Sequence, residues 1–345
     1  MRGRVAWLMG PRRVEVRETE VPAPGPGEVL LAIEAATTCG TDLKVWKRGG
    51  HPTMLTVPGP FGHEMTGVVA AVGRGVKELA EGDRVVVVNS ASCGLCPRCR
   101  AGKENLCTDL RYLNGAFAEA VLVPGRFVRR SLYRVPEGVA PEVAALTEPL
   151  ACVLHGLEVA APEPAAAAVV LGCGPIGLMF VTVLALAGHQ VTAVDLNPRR
   201  LEVARRLGAV RSVALPPAAE PAEAASVVRA GAGEAPGLAV EATGSPAAWA
   251  TAMELAAPGG TVLLFGGCPP GTTVPLDTHR LHYSEITVRG AYHHRPATAR
   301  RALELLAGGG HGLEALLSAR VGLDGLEGAL EAMERGEVLK AVVVP

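Results

Sequence analysis

Aromatic side chains are scarce in this chain: Phe, Trp and Tyr together make up 3% of its 345 residues. Its cores must therefore be built from Val, Leu and Ala. Excess charge of either sign is also missing, since 33 Lys and Arg face 34 Asp and Glu for a formal net charge of −1. Without a basic face to hold a phosphate backbone, a nucleic-acid role is disfavoured. No uninterrupted apolar run reaches the roughly eighteen residues that mark a membrane-span candidate. The first residues, MRGRVAWLMGPRRVEV, have too short an apolar stretch and too many following charges for a secretory leader. These absences lead us to expect a soluble, cytoplasmic protein with no nucleic-acid and no membrane partner.

What is present is apolar material in quantity. Hydrophobic residues make up 49% of the chain and charged residues 19%, enough for two cores, and the length suggests two domains. Two textures alternate. Up to about residue 150, short β-runs such as EVLLAIEAA (28–36), MTGVVAAVG (65–73) and DRVVVV (83–88) are separated by Gly and Pro turns. That is the texture of a mainly antiparallel β domain. From about 165 to 290, strands alternate with Gly turns and helices, beginning AAVVLG (167–172), PIGLMFVTVLALAG and QVTAVD (190–195). Strand–helix alternation implies a doubly wound parallel sheet. We expect a catalytic domain over 1–152, a dinucleotide-binding domain over 153–288, and a segment 289–345 that returns to the first.

Gly172-Cys173-Gly174-Pro175-Ile176-Gly177 follows an apolar β-run and opens a helix. In that setting the first glycine turns the chain, the second lets a pyrophosphate reach the backbone, and the third lets helix and strand pack closely. Asp195 ends the next strand, about 20 residues on, where a carboxylate binds ribose hydroxyls. It would repel a 2′-phosphate, which favours NAD over NADP. Arg199 and Arg200 follow it and are either phosphate ligands or solvated helix charges. Asp195 itself has the alternative role of a helix N-cap.

Four of the eight cysteines crowd into one loop: Cys93, Cys96, Cys99 and, seven residues on, Cys107. Four thiolates so spaced can surround one zinc ion tetrahedrally, a closed site that stabilises a loop. An iron–sulfur cluster is the rival, but the last gap is too long for the bacterial ferredoxin run and no second Cys group exists. Before the loop come Thr38-Cys39-Gly40-Thr41-Asp42 and Gly62-His63-Glu64, and after it Glu148 in Thr147-Glu148-Pro149-Leu150. Cys, His and carboxylate are the ligand types of an open catalytic zinc site. The spacing alone does not single them out, because isolated Cys and His residues are more often structural.

Taken together, CGTD, GHE, the C-x2-C-x2-C-x7-C loop, EPL and GxGPIG resemble the zinc-dependent medium-chain dehydrogenases, in particular their polyol (sorbitol-like) and threonine dehydrogenase branches. The resemblance spans nearly the whole chain. It implies a GroES-like β domain joined to a Rossmann domain, two zinc ions per chain, and a nicotinamide cofactor. It further implies Cys39 and His63 as catalytic zinc ligands, with Glu64 and Glu148 ligating directly or through water. Asp42 would hydrogen-bond the far nitrogen of His63, and Thr41 would relay the substrate proton. Phe265, Gly266 and Gly267 would lie beside the nicotinamide, and Lys340 near the cofactor pyrophosphate. The implied partner is a small alcohol or polyol, and the implied assembly is a homodimer or homotetramer.

Two departures matter. Many relatives carry a His two residues after the position of Asp42, ending the relay; here Lys44 stands there, a poorer relay because an unperturbed lysine titrates at about 10.4. In the sorbitol branch an Arg that helps hold polyol hydroxyls falls about where His293 stands. His51, His155, His282 and His294 have no motif around them and are read as structural. The activity expected is hydride transfer from a secondary alcohol or polyol to NAD+, with L-threonine 3-dehydrogenase and a catalytically silent zinc-binding scaffold as alternatives.

Overall fold

The structure, a computed structural model, describes residues 2–345. The chain divides into two compact units, one formed by residues up to Ala151 with His294–Gly309 and Leu316–Pro345, the other by Cys152–His293 with Gly310–Ala315.

The first unit is built on a seven-stranded sheet whose centre is Val29–Thr37, flanked by Glu64–Val72 and Lys340–Val343. Ala120–Val123 also pairs with Val29–Thr37. The pairing with Glu64–Val72 is antiparallel and sets Thr37 opposite Glu64. A three-stranded sheet adds Arg2–Gly10, Arg13–Glu20 and Gly59–Pro60. Leu8, Leu31, Met65 and Val85 fill the core, with Phe61 set edge-on to Phe117 at 5.5 Å. The scarce aromatics are thus spent where one large ring replaces several aliphatic side chains.

The second unit holds six parallel strands in the order Arg211–Ala214, Gln190–Asp195, Ala167–Leu171, Leu238–Glu241, Thr261–Leu264 and Thr287–Gly290. Numbered along the chain this is the 3-2-1-4-5-6 order of the dinucleotide-binding fold. Helices such as Pro175–Leu186 and Pro246–Leu255 connect them. The central strands are apolar on both faces, as burial under helices on each side requires: Val169, Val170, Val240 and Leu263 are at most 1% exposed. Both expected architectures are therefore present. The stretch Pro141–Ala160 is long and apolar enough to cross a bilayer, but 83% of its most apolar window is buried, the condition of a core helix.

Candidate metal and dinucleotide sites

The metal pocket starts from the first turn of the helix Gly40–Arg48. Cys39 is its N-cap: the thiol sulfur accepts the Thr41 backbone N–H at 3.4 Å, while Asp42 Oδ2 accepts the Cys39 N–H at 2.8 Å. This is a capping box with sulfur in the place of a hydroxyl. It fixes Cys39 and Asp42 in one rigid turn.

Asp42 Oδ1 lies 3.0 Å from His63 Nδ1. A carboxylate only accepts, so Nδ1 carries a proton and Nε2 is the nitrogen a metal would take once any proton on it has left. Burial opposes charge on His63, yet Asp42, through charge and hydrogen bond, and then Cys39 raise it well above its usual range in the metal-free protein.

Glu64 follows in the next position and is fully buried. The ligand atoms of Cys39, His63 and Glu64 all lie within 4.8 Å of one another. Thr37 Oγ1 and Lys340 Nζ, the latter at 2.6 Å, donate to Glu64 Oε2, whereas Oε1 is buried with no hydrogen-bond partner. An orphaned carboxylate oxygen beside a thiol and an imidazole is what a cation would satisfy. The residues fit zinc.

Glu148 is not part of this three-residue group. It is buried in the helix Thr147–Ala160, with Oε1 3.9 Å from His294 Nε2. Between the two carboxylates expected here, Glu64 is the one gathered with Cys39 and His63. Lys340 lies in the same buried pocket. Its ammonium is 1% exposed and donates to the Thr38 carbonyl as well as to Glu64. Two of its three ammonium donors are thus engaged beside the metal pocket. Burial works against that charge, but Glu64, Cys39 and Asp42 together outweigh it and hold the lysine above its usual range. Lys44 is exposed on its helix.

Elsewhere in this unit, four sulfurs converge. Cys96 Sγ is 3.5 Å from Cys99 Sγ and 3.9 Å from Cys107 Sγ, and Cys93 Sγ is 3.9 Å from Cys99 Sγ. Sulfurs each about 2.3 Å from one tetrahedral zinc stand about 3.8 Å apart. A multi-iron cluster needs them further apart. The backbone serves the same end: Leu95 and Cys96 N–H groups point at Cys93 Sγ, and those of Cys93 and Asp109 at Cys107 Sγ. Backbone N–H donors from Thr108 and Cys99 bring the Cys96 thiol down to about 5, while burial pushes Cys99 up to about 12. A cation shared by all four would replace this uneven protonation.

In the second unit the glycine turn meets each steric demand. Gly172 has φ +94°, and a side chain there would strike Thr243. A Cβ on Gly177 would stand 1.7 Å from the Gly172 carbonyl oxygen, so strand and helix touch only because it is glycine. Nothing lies within 4 Å of the Cβ position of Gly174, where the helix begins with Pro175 and Ile176. That open cradle is where a phosphate would come against the helix N-terminus.

Asp195 Oδ2 accepts the Cys173 N–H at 2.6 Å and Oδ1 the Asn197 N–H at 2.8 Å. The helix cap is Asn197, which removes the capping alternative for Asp195. Asp195 and Arg200 line a cavity of about 440 Å³ with Gly172, Leu215 and Thr243. Arg200 Nη1 is 4.0 Å from Asp195, and its buried Nε has no hydrogen-bond partner. Phe265 packs edge-on against Phe180 at 5.0 Å, and the Gly266 carbonyl accepts the Trp249 indole N–H. Gly267 is exposed.

Comparison with known proteins agrees with this architecture. Residues 25–136 match the family described as alcohol dehydrogenase GroES-like domain, and residues 175–308 that described as zinc-binding dehydrogenase. An L-threonine 3-dehydrogenase of Bacillus velezensis is 32% identical over 338 residues, 96% of this chain and 95% of that protein. A sorbitol dehydrogenase of Bacillus subtilis is 29% identical over 352 residues, covering 99% and 97%. A solved structure from Sinorhizobium meliloti 1021, bound to NADP, superposes with a TM-score of 0.89 at 30% identity over the full length of both chains. The chain belongs to the zinc-type medium-chain alcohol dehydrogenases. It is thus an oxidoreductase of a family that pairs bound zinc with a nicotinamide nucleotide.

The contact of Lys340 with Glu64 was missed in the sequence, although a signal was there. In LKAVVV (339–344) a single charge opens an otherwise apolar strand, and a charge in a buried strand needs a buried partner.

Proposed function

We propose that this chain oxidises a secondary alcohol or polyol with NAD+ as hydride acceptor, at a catalytic zinc held by Cys39, His63 and Glu64, with a second zinc in the four-cysteine loop. The observation that carries the reading is the orphaned Glu64 Oε1 in a pocket where a thiol, an imidazole and a carboxylate converge within 4.8 Å. When bound, zinc supplies the Lewis acidity that lowers an alcohol's pKa toward neutrality, and the nicotinamide supplies the hydride acceptor.

The remaining work falls to the chain. Cys39 and His63 contribute one thiolate and one neutral imidazole, and Asp42 keeps the imidazole in the tautomer that ligates. Thr41, in the same helical turn, offers the hydroxyl through which the alcohol proton leaves. Glu148, buried near His294 and outside that group of three, would ligate through water rather than directly. Gly174 and the helix start at Pro175 would take the pyrophosphate. Asp195 would bind the adenosine ribose and, by repelling a 2′-phosphate, supports NAD; Arg200, within reach of the same cavity, is what a phosphate would use instead.

L-threonine is the second substrate to consider, on the strength of the Bacillus velezensis relative. We further propose a cytoplasmic homo-oligomer. The strand Thr287–Gly290 ends the parallel sheet with one edge unpaired, and Val288, Leu276, Tyr283 and Tyr292 are exposed on that stretch of chain. An open strand edge is a template for pairing with a second copy.

The test is a zinc count per chain, joined to a screen of NAD+ and NADP+ reduction against polyols, short diols and L-threonine. Two zinc ions with alcohol-dependent reduction are expected. Cys39→Ser should retain one zinc, bind NADH and turn over nothing; full activity in that variant would remove the catalytic-zinc assignment.

A further inference from the structure

Glu241 is fully buried and ends the apolar strand Leu238–Glu241 of the parallel sheet. A carboxylate so placed needs polar partners in the interior, and it finds them in the turns beyond the strand ends. Its Oε1 accepts the Thr243 N–H at 2.7 Å, the Gly244 N–H at 2.9 Å and the Thr243 hydroxyl. The hydroxyl oxygen in turn accepts the Ser245 N–H at 3.0 Å. The Glu241 carbonyl reaches the turn after Thr261–Leu264, where it accepts the Phe265 and Gly266 N–H groups, each at 3.0 Å. On the other side, Thr243 packs against the glycine turn: a Cβ on Gly172 would stand 2.5 Å from the Thr243 methyl. The Ala242 N–H donates to the Leu171 carbonyl at 2.9 Å. One residue thus fastens three turns together. They lie at the carboxyl ends of the strands, and Ala167–Leu171 and Leu238–Glu241 are the neighbours at which the strand order reverses, the place where this fold takes its nucleotide. Thr243 and Ser245 also line the cavity that holds Asp195 and Arg200.

We propose that Glu241 is a positioning residue for the dinucleotide: its carboxylate holds Thr243 and Gly244 in the arrangement that sets the wall of the nucleotide cavity against the glycine turn. The inference rests on the dinucleotide reading above and deepens it. Glu241 acts through Thr243 and has no contact with the cofactor assigned to it. What the turn demands is a fixed acceptor, because three donors converge on one oxygen. A glutamine supplies a carbonyl oxygen of the same reach, whereas a side chain that ends at Cβ supplies none. A carboxylate that merely braced the sheet would, when lost, lower the melting temperature and leave the affinity of each folded chain for the nucleotide unchanged. Turns set in place before binding lower the ordering cost of that binding, so their loss appears in the affinity itself.

The experiment titrates NADH by fluorescence into the folded wild type, Glu241→Gln, Glu241→Ala, Thr243→Val and the Glu241→Ala/Thr243→Val double variant, with a melting temperature for each. Glu241→Ala should bind NADH about 10-fold or more weakly, the loss of hydrogen bonds to a charged acceptor. Glu241→Gln should stay within about threefold of wild type, rescued by its carbonyl oxygen. Thr243→Val should weaken binding about threefold in the otherwise native chain. It should add little once Glu241 is alanine, because the hydroxyl has then lost its acceptor. Wild-type affinity in Glu241→Ala overturns the proposal, whatever the melting temperature. So does a Glu241→Gln variant as weak as Glu241→Ala, or a Thr243→Val loss that persists in full in the double variant. If Glu241→Ala does not fold, the other single variants decide: unchanged affinity in Thr243→Val, or a loss of about 10-fold in Glu241→Gln, overturns the proposal. A wild-type chain that binds no NADH would instead sink the underlying dinucleotide reading.

Discussion

Asp42 holds His63 from behind: Oδ1 sits 3.0 Å from Nδ1, and both side chains are buried. The other oxygen of the same carboxylate secures the Cys39 N–H. One side chain therefore orients two of the three groups that converge on the metal position.

Asp42→Ala should weaken zinc at this site by about 10- to 100-fold, the usual cost of removing the partner that orients a ligating histidine. Competition with a chromophoric chelator measures this directly. The four-cysteine zinc should be unaffected. An undiminished affinity would mean that the helix turn alone positions His63.

Zinc affinity should also depend steeply on pH. In the metal-free fold Asp42 raises His63 well above its ordinary range. The bound proton stabilises that state fully below the unfolded value of about 6.5, and the benefit is lost as pH rises through the higher folded value. Zinc must displace this proton, so its affinity should fall as pH falls, by about tenfold per unit for each proton released. A flat profile across that window, followed by proton release in calorimetry, would contradict the arrangement.

Asp195→Ala should weaken NAD+ by about 10-fold or more, the loss of a hydrogen bond to a charged acceptor, and narrow the preference over NADP+. The ratio of kcat/KM for the two nucleotides reads this out. Because Asp195 also accepts the Cys173 and Asn197 N–H groups, thermal stability should be measured alongside. An unchanged ratio would argue against the ribose contact.

Val288→Lys should place a charge on the open edge of the parallel sheet. Light scattering should then report a smaller assembly than for the wild type. An identical mass would exclude this edge as the contact.

Much of this was readable in the residues. Strand–helix alternation after residue 165 and the turn around Gly172 predict the parallel sheet because each glycine answers a steric demand, as the 1.7 Å approach at Gly177 bears out. The four-cysteine loop was equally plain, its ligands being local. The helix Gly40–Arg48 was not read: it buries only Asp42, Val45 and Trp46, and its cap is a cysteine, a residue with little capping preference. Local pattern also could not reveal that Lys340 meets Glu64. Nothing between residues 64 and 340 announces that contact; it arises from the pairing of Lys340–Val343 with Val29–Thr37, which lies opposite Glu64.

That long-range pairing separates the two metal positions in time. The cysteine loop gathers its ligands from fifteen consecutive residues, so a small closure of chain suffices to capture an ion. The pocket of Cys39, His63 and Glu64 is sealed by a residue 276 positions from Glu64, and contacts of such separation form late. Ion uptake during folding should thus be sequential, with the loop filling early and the pocket waiting for the chain to close around it.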